Sequence, residues 1–135
     1  MSQKSIRTPM ANVRGLGSAK EGAGHFITQR VTAIALIFLV PIALVSILCA
    51  VQGGYEGAIE SVSNPLFAIL LLLTTGTAFY HMRLGMQVVI EDYIGKHTTR
   101  VVLLMLNTFV SIILFAAAAY SLSLIHISEP TRQIR

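Results

Sequence analysis

Apolar residues in this chain neither alternate nor gather in narrow stripes; they run on without interruption. Stretches free of Asp, Glu, Lys and Arg cover residues 31–55, 61–82 and 101–128. A bilayer's hydrocarbon core, about 30 Å thick, is crossed by about 20 helical residues rising 1.5 Å each. Lipid offers unpaired backbone groups no partner, so only helices or closed barrels can cross it. Barrel strands would show as alternating segments of about ten residues. These runs are instead continuous and rich in Leu, Ile, Ala and Val. The pattern predicts an all-α fold, an integral membrane three-helix transmembrane bundle. Its spans are expected at about residues 26–51, 64–93 and 99–122.

Residues 1–25 form a polar N-terminal segment with Gly15, Gly17, Gly22 and Gly24 and the cations Lys4, Arg7, Arg14 and Lys20. The apolar run after it starts too late and continues too long for a secretory signal. Pro41 inside the first span predicts a kink or local loosening, which neighbouring helices tolerate in membranes. A turn is expected from Gln52 to Gly57, in a first loop whose charges are Glu56 and Glu60. Asn64-Pro65 suits a helix start, since Asn caps and proline fits the first turn. Gly95 is the expected stop of the second span. The link Lys96-His97-Thr98-Thr99-Arg100 is short, so the second and third spans should be antiparallel neighbours. Residues 123–135 form a polar tail in which the string 123–132 resembles a translated sequencing adapter. On that reading it is an artefact in place of the natural C-terminus, and His126 carries no meaning. Three spans cannot enclose a large private cavity, so a partner subunit is expected.

Composition agrees with this pattern. Hydrophobic residues make up 54% of the 135 positions and charged ones 12%, against about 45–50% and about 25% in soluble domains. Disordered chains are poor in apolar residues and rich in charge, so disorder is excluded as well. The net charge is only +4 and no basic run occurs, which argues against nucleic acid as a partner. A single cysteine, Cys49, excludes an internal disulfide framework or a multi-cysteine metal site. The first thirty residues hold five cations (Lys4, Arg7, Arg14, Lys20, Arg30) against one acid, Glu21, while the first loop holds acids only. Cytoplasmic flanks favour Lys and Arg, so the N-terminus and the second link are expected inside. Arg132 and Arg135 dissent from that topology.

The segment 79–93, from Phe79 to Tyr93, carries the candidate chemistry. Ionisable groups inside a span cost about 2.5–3.5 kcal/mol at its centre, so each is a functional candidate. His81 lies about 18 Å along the axis from Tyr93, near mid-membrane toward the inner half. At helical pitch His81, Gly85, Val88 and Asp92 share one stripe, and Gly85 leaves bare backbone one turn below His81. An imidazole above a glycine suits axial haem ligation, because neutral nitrogen binds iron and the porphyrin needs room. On spacing alone the plainer readings, a histidine bonded to a neighbouring helix and an ordinary small-residue contact at glycine, outweigh ligation. One histidine cannot supply both axial ligands, and His25 and His97 lie near span ends, so six-coordinate haem would require a second chain. Arg83 lies about 200° round the helix from His81. It is either a snorkelling cation or a partner for a haem propionate or a neighbouring carboxylate. Arg30 is an interfacial anchor or a propionate or quinone contact. Asp92 and Tyr93 reach the inner interface, where Tyr93 is an aromatic-belt residue or, beside an acidic acceptor, a donor to a quinone carbonyl. Cys49, the methionines and the run Leu70–Leu73 read as packing or lipid-facing surface.

Three groups of residues together resemble the hydrophobic anchor subunits of bacterial succinate dehydrogenase. They are Arg14-Gly15-Leu16-Gly17-Ser18-Ala19-Lys20, then His25-Phe26 with Gln29-Arg30-Val31-Thr32-Ala33, and chiefly His81-x3-Gly85-x6-Asp92-Tyr93. The resemblance covers most of residues 12–121, with one departure: the chain has no tryptophan, which relatives often carry after the Phe26 position or on the second span. It implies that His81 is an axial ligand to haem b, the other coming from a cytochrome b-type C subunit. It implies that Tyr93, preceded by Asp92, meets the carbonyl of ubiquinone, and that Arg30 lies near a propionate and the quinone pocket. It further implies a flavoprotein subunit and an iron–sulfur subunit docked on the inner face of a bacterial inner (cytoplasmic) membrane, passing electrons from succinate to quinone. The chain alone carries no paired carboxylates, activated nucleophile or phosphate loop, so it is not expected to catalyse by itself. The alternatives are a small multispan scaffold or transporter component, or the anchor of a fumarate reductase.

Overall fold

The computed structural model describes Thr8, Met10 and residues 22–128. Most of the N-terminal segment, with Lys4, Arg7, Arg14 and Lys20, and the end of the tail, with Arg132 and Arg135, lie outside the described residues. Four helices follow in order: α1 (Gly22–Gln52), α2 (Gly54–Ser63), α3 (Pro65–Tyr93) and α4 (His97–Ser128). α1, α3 and most of α4 are each long and apolar enough to cross a membrane, so the chain is a three-span, multi-pass membrane protein.

Local chemistry sets the ends of α3. The Asn64 side chain accepts a hydrogen bond from the Leu66 amide at 2.9 Å, and Pro65 occupies the first turn, where its missing N–H costs nothing. At the other end the helix stops on Ile94, in extended backbone with φ −100° and ψ 100°. The anticipated glycine stop at Gly95 is not a left-handed cap. The positive-φ glycine among the described residues is Gly54, at φ 69°, where α1 breaks and the chain turns into α2. Only glycine takes that backbone without strain.

Two elements differ from expectation. Much of the first loop is helical, as α2, because nothing in Tyr55–Ser63 breaks a helix once Gly54 has turned the chain. α4 runs six residues past the anticipated end at about 122, to Ser128. Its last residues, Leu124-Ile125-His126-Ile127, hold no helix breaker, and His126 Nδ1 lies 3.1 Å from the Leu122 carbonyl. α1 is continuous through Pro41, although proline has no N–H to offer the Ile37 carbonyl one turn earlier.

α1 packs on α3 and α3 on α4, each pair antiparallel: residues that step forward on one helix meet residues that step backward on the next. Thus Arg83 meets Thr108, while Gly76 meets Phe115 one span-half away. The buried apolar set among the described residues is small: Ala43, Ala50, Leu84 and Ile90. Large side chains such as Ile37 (66% exposed), Phe38 (65%) and Ile113 (64%) point outward. Soluble monomers do not expose apolar surface on this scale; hydrocarbon tails or partner helices must solvate it.

Candidate functional site

Polar side chains break the apolar pattern of α1 at His25, Gln29 and Thr32, spaced one and two turns apart on one face. That face meets α3 at His81. Thr32 Oγ1 lies 2.9 Å from His81 Nδ1, and Gln29 Nε2 lies 3.5 Å from His81 Nε2. One turn along α3, a Cβ built on Gly85 would stand 3.4 Å from the same Gln29 nitrogen. His81, Gly85, Gln29 and Thr32 therefore form one polar nook between two spans.

The nook is incompletely satisfied. Gln29 Oε1 and His25 Nε2 are buried without a hydrogen-bond partner. Buried polar atoms normally find a partner, and an orphan in a low-dielectric site marks a place where another group belongs. The separation at His81 Nε2 exceeds the usual 2.7–3.2 Å for a good N–H bond. The ring is thus held firmly through Nδ1 and loosely through Nε2. The neighbouring-helix reading of His81 holds for Nδ1 and leaves Nε2 available. Among the described residues no group of three or more His, Cys, Asp or Glu converges on a metal-binding point.

The other sequence-selected residues lie elsewhere. Arg83 points away from His81 toward α4, as their separation around the helix requires. Its Nε donates to Thr108 Oγ1 at 3.2 Å, and Asn107 Nδ2 donates to its backbone carbonyl at 2.9 Å. Thr108 in turn donates to the Leu104 carbonyl at 3.0 Å, and the buried Ser111 donates to the Asn107 carbonyl at 2.8 Å. Arg83, Thr108 and Ser111 also line a groove of about 330 Å³ with Phe79, Tyr80 and Phe115. Arg30 sits beside Gln29 in sequence, but its guanidinium lies over the Phe26 ring, 5.1 Å from the centroid. Asp92 and Tyr93 occupy the last turn of α3, both exposed, with Tyr93 at 82%, and neither has a hydrogen-bond partner among the described residues. The single chain does not bring them to His81. Gln87 bonds Glu91 instead, at 2.8 Å along the helix.

Thr32 and Gln29 are the site residues that His81-centred reasoning misses. Their signal was present: His25, Gln29 and Thr32 make a polar stripe at helical spacing on a mostly apolar span. No rule of spacing within α3 could say that this stripe faces His81.

Comparison with known proteins gives the chain its relatives. The family profile described as the succinate dehydrogenase/fumarate reductase transmembrane subunit matches residues 4–120. A succinate dehydrogenase hydrophobic membrane anchor subunit of Rickettsia bellii is 33% identical over 118 residues, covering 85% of this chain and 94% of the relative. The subunit of the same name from Rickettsia conorii is 32% identical over 120 residues, covering 85% and 94%. That of Paracoccus denitrificans is 28% identical over 116 residues, covering 86% and 89%. No solved structure matches. With three candidate spans and relatives along most of its length, the chain belongs to the family of transmembrane subunits of succinate dehydrogenase and fumarate reductase.

Proposed function

We propose that this membrane anchor subunit binds haem b through His81 and forms part of the ubiquinone site of succinate:quinone oxidoreductase. The observation that carries this reading is His81 itself: mid-span, half-buried, fixed at Nδ1 by Thr32 and without a close partner at Nε2. The nook fits a flat ligand. Gly85 offers backbone where any other residue would project a side chain, and Gln29 ends in an amide oxygen with no bond to lose. When bound, haem b supplies a one-electron carrier between the iron–sulfur subunit and quinone.

The chain's own residues divide the remaining work. His81 would hold the iron of that group through one ring nitrogen, with a cytochrome b-type C subunit supplying a second ligand. Gly85 keeps the space beside that nitrogen clear. Arg30, at the same level of α1 as Gln29, is free to exchange its contact with Phe26 for a propionate; exposed cation–π pairs are worth only about 0.5–1 kcal/mol. Arg83 is engaged with α4 and serves to brace α3 against it rather than to meet the haem. At the inner end of α3, the Tyr93 hydroxyl donates to a quinone carbonyl and Asp92 offers an acceptor beside it. Their exposure in the single chain supports a site completed by the iron–sulfur and C subunits, with the flavoprotein subunit beyond.

The cation-rich N-terminal flank supports an N-terminus on the cytoplasmic side of a bacterial inner membrane. Relatives named for succinate dehydrogenase favour succinate oxidation over fumarate reduction. A transporter reading has no support, since the spans carry none of the paired broken helices that such a site uses. The test is His81→Ala in the complex purified through a tag on a neighbouring subunit. The reduced b-type absorbance band is expected to disappear; an undiminished band refutes ligation by His81.

A further inference from the structure

We propose that Thr32, on α1, is a positioning residue that decides which nitrogen of His81 is free to bind. Its oxygen accepts the Nδ1 proton, leaving the Nε2 lone pair free. The inference rests on the haem-ligand reading of His81 and deepens it.

One hydroxyl proton on Thr32 has three neighbours. Thr32 Oγ1 lies 2.9 Å from the Thr28 carbonyl, 3.0 Å from the Gln29 carbonyl and 2.9 Å from His81 Nδ1. A threonine inside a helix turns its hydroxyl back to the carbonyls three and four residues earlier, and its branched Cβ limits it to few rotamers. The proton is then spent on α1's own backbone. What the oxygen still offers His81 is a lone pair, and a lone pair requires Nδ1 to carry the hydrogen. A neutral imidazole has one such hydrogen, so Nε2 becomes the acceptor. The Gln29 amide, at 3.5 Å, is too far to occupy that lone pair well. A ligating histidine commonly donates its other N–H to an oxygen, which fixes the ring's tautomer and orientation and raises its basicity. Here the oxygen is supplied by a different span from the ligand, so the α1–α3 contact itself aims the imidazole.

The experiment compares Thr32→Val, which keeps the shape and removes the oxygen, with Thr32→Ser, which keeps the oxygen and removes a methyl. Both are made in the whole complex, with His81→Ala alongside. The readouts are haem retained per anchor chain and the haem midpoint potential, neither of which depends on turnover. Thr32→Val should weaken haem binding by about 10- to 100-fold. It should also move the potential positive, because a less basic imidazole stabilises ferric iron less. Thr32→Ser should restore both. A purely packing role predicts the opposite order, with valine silent and serine harmful. If valine prevents assembly, Thr32→Ala against Thr32→Ser makes the same comparison at matched loss of the methyl. Unchanged haem binding and potential in the oxygen-free variant, with the b band lost in His81→Ala, overturns the role of Thr32 alone. A b band retained in His81→Ala overturns the ligand reading and this inference with it.

Discussion

Adding one carbon at Gly85 separates a cofactor cradle from an ordinary helix contact. A Cβ placed there stands 3.4 Å from Gln29 Nε2, the tip of a flexible side chain whose oxygen makes no bond. That neighbour can yield by a few tenths of an ångström, so Gly85→Ala should fold and assemble. A flat ring held by His81 beside that glycine, as proposed above, would not yield. It would lose about 1.5 Å of clearance, one carbon–carbon bond length, where carbon atoms pack best at about 3.5–4.0 Å. Forcing an extra methyl into a filled site costs about 1–3 kcal/mol, equivalent to about 5- to 150-fold in haem affinity. Gly76 provides the contrast, because a Cβ there would sit 3.1 Å from the Phe115 ring on the opposite face of α3. The assay is haem per anchor chain in the purified complex, together with its thermal midpoint. Gly85→Ala should lose haem with little change in assembly, whereas Gly76→Ala should lose stability and keep its haem. Full haem content in Gly85→Ala, coupled to the stability loss seen at Gly76, would make Gly85 a mere packing position.

Tyr93→Phe should leave assembly and the b band intact and slow succinate-dependent quinone reduction by about 2- to 10-fold, the worth of one hydrogen bond of about 0.5–1.5 kcal/mol. Steady-state turnover with a soluble ubiquinone analogue checks this, and normal turnover returns Tyr93 to the aromatic belt. Thr108→Val removes the acceptor for Arg83 Nε. Interhelical bonds inside membranes average about 0.6 kcal/mol, so the thermal midpoint should fall slightly with haem content unchanged. A loss of haem in that variant would contradict the assignment of Arg83 to the α3–α4 contact.

Sequence alone reached the membrane, the number of spans and the start of α3. Those follow from the run lengths between charges and from Asn64-Pro65, which act within a few residues of themselves. It also placed His81 above Gly85 and set Arg83 on another face, because helical pitch fixes angles along one helix. The helix over Gly54–Ser63 was missed because Gly53, Gly54 and Gly57 read as a longer turn, while the turn backbone is confined to Gly53 and Gly54.

What the tertiary structure decided is which faces meet. A soluble helix announces its inner face by being apolar there and polar elsewhere. These spans are apolar over most of their circumference, and lipid is as good a neighbour for leucine as another helix is. The pattern therefore carries no arrow from α3 toward α1 or α4. Packing turned His81 to Thr32 and Gln29, and Arg83 to Thr108. Hydrogen bonds between residues far apart in the sequence accompany that choice, and no pattern within one helix encodes them.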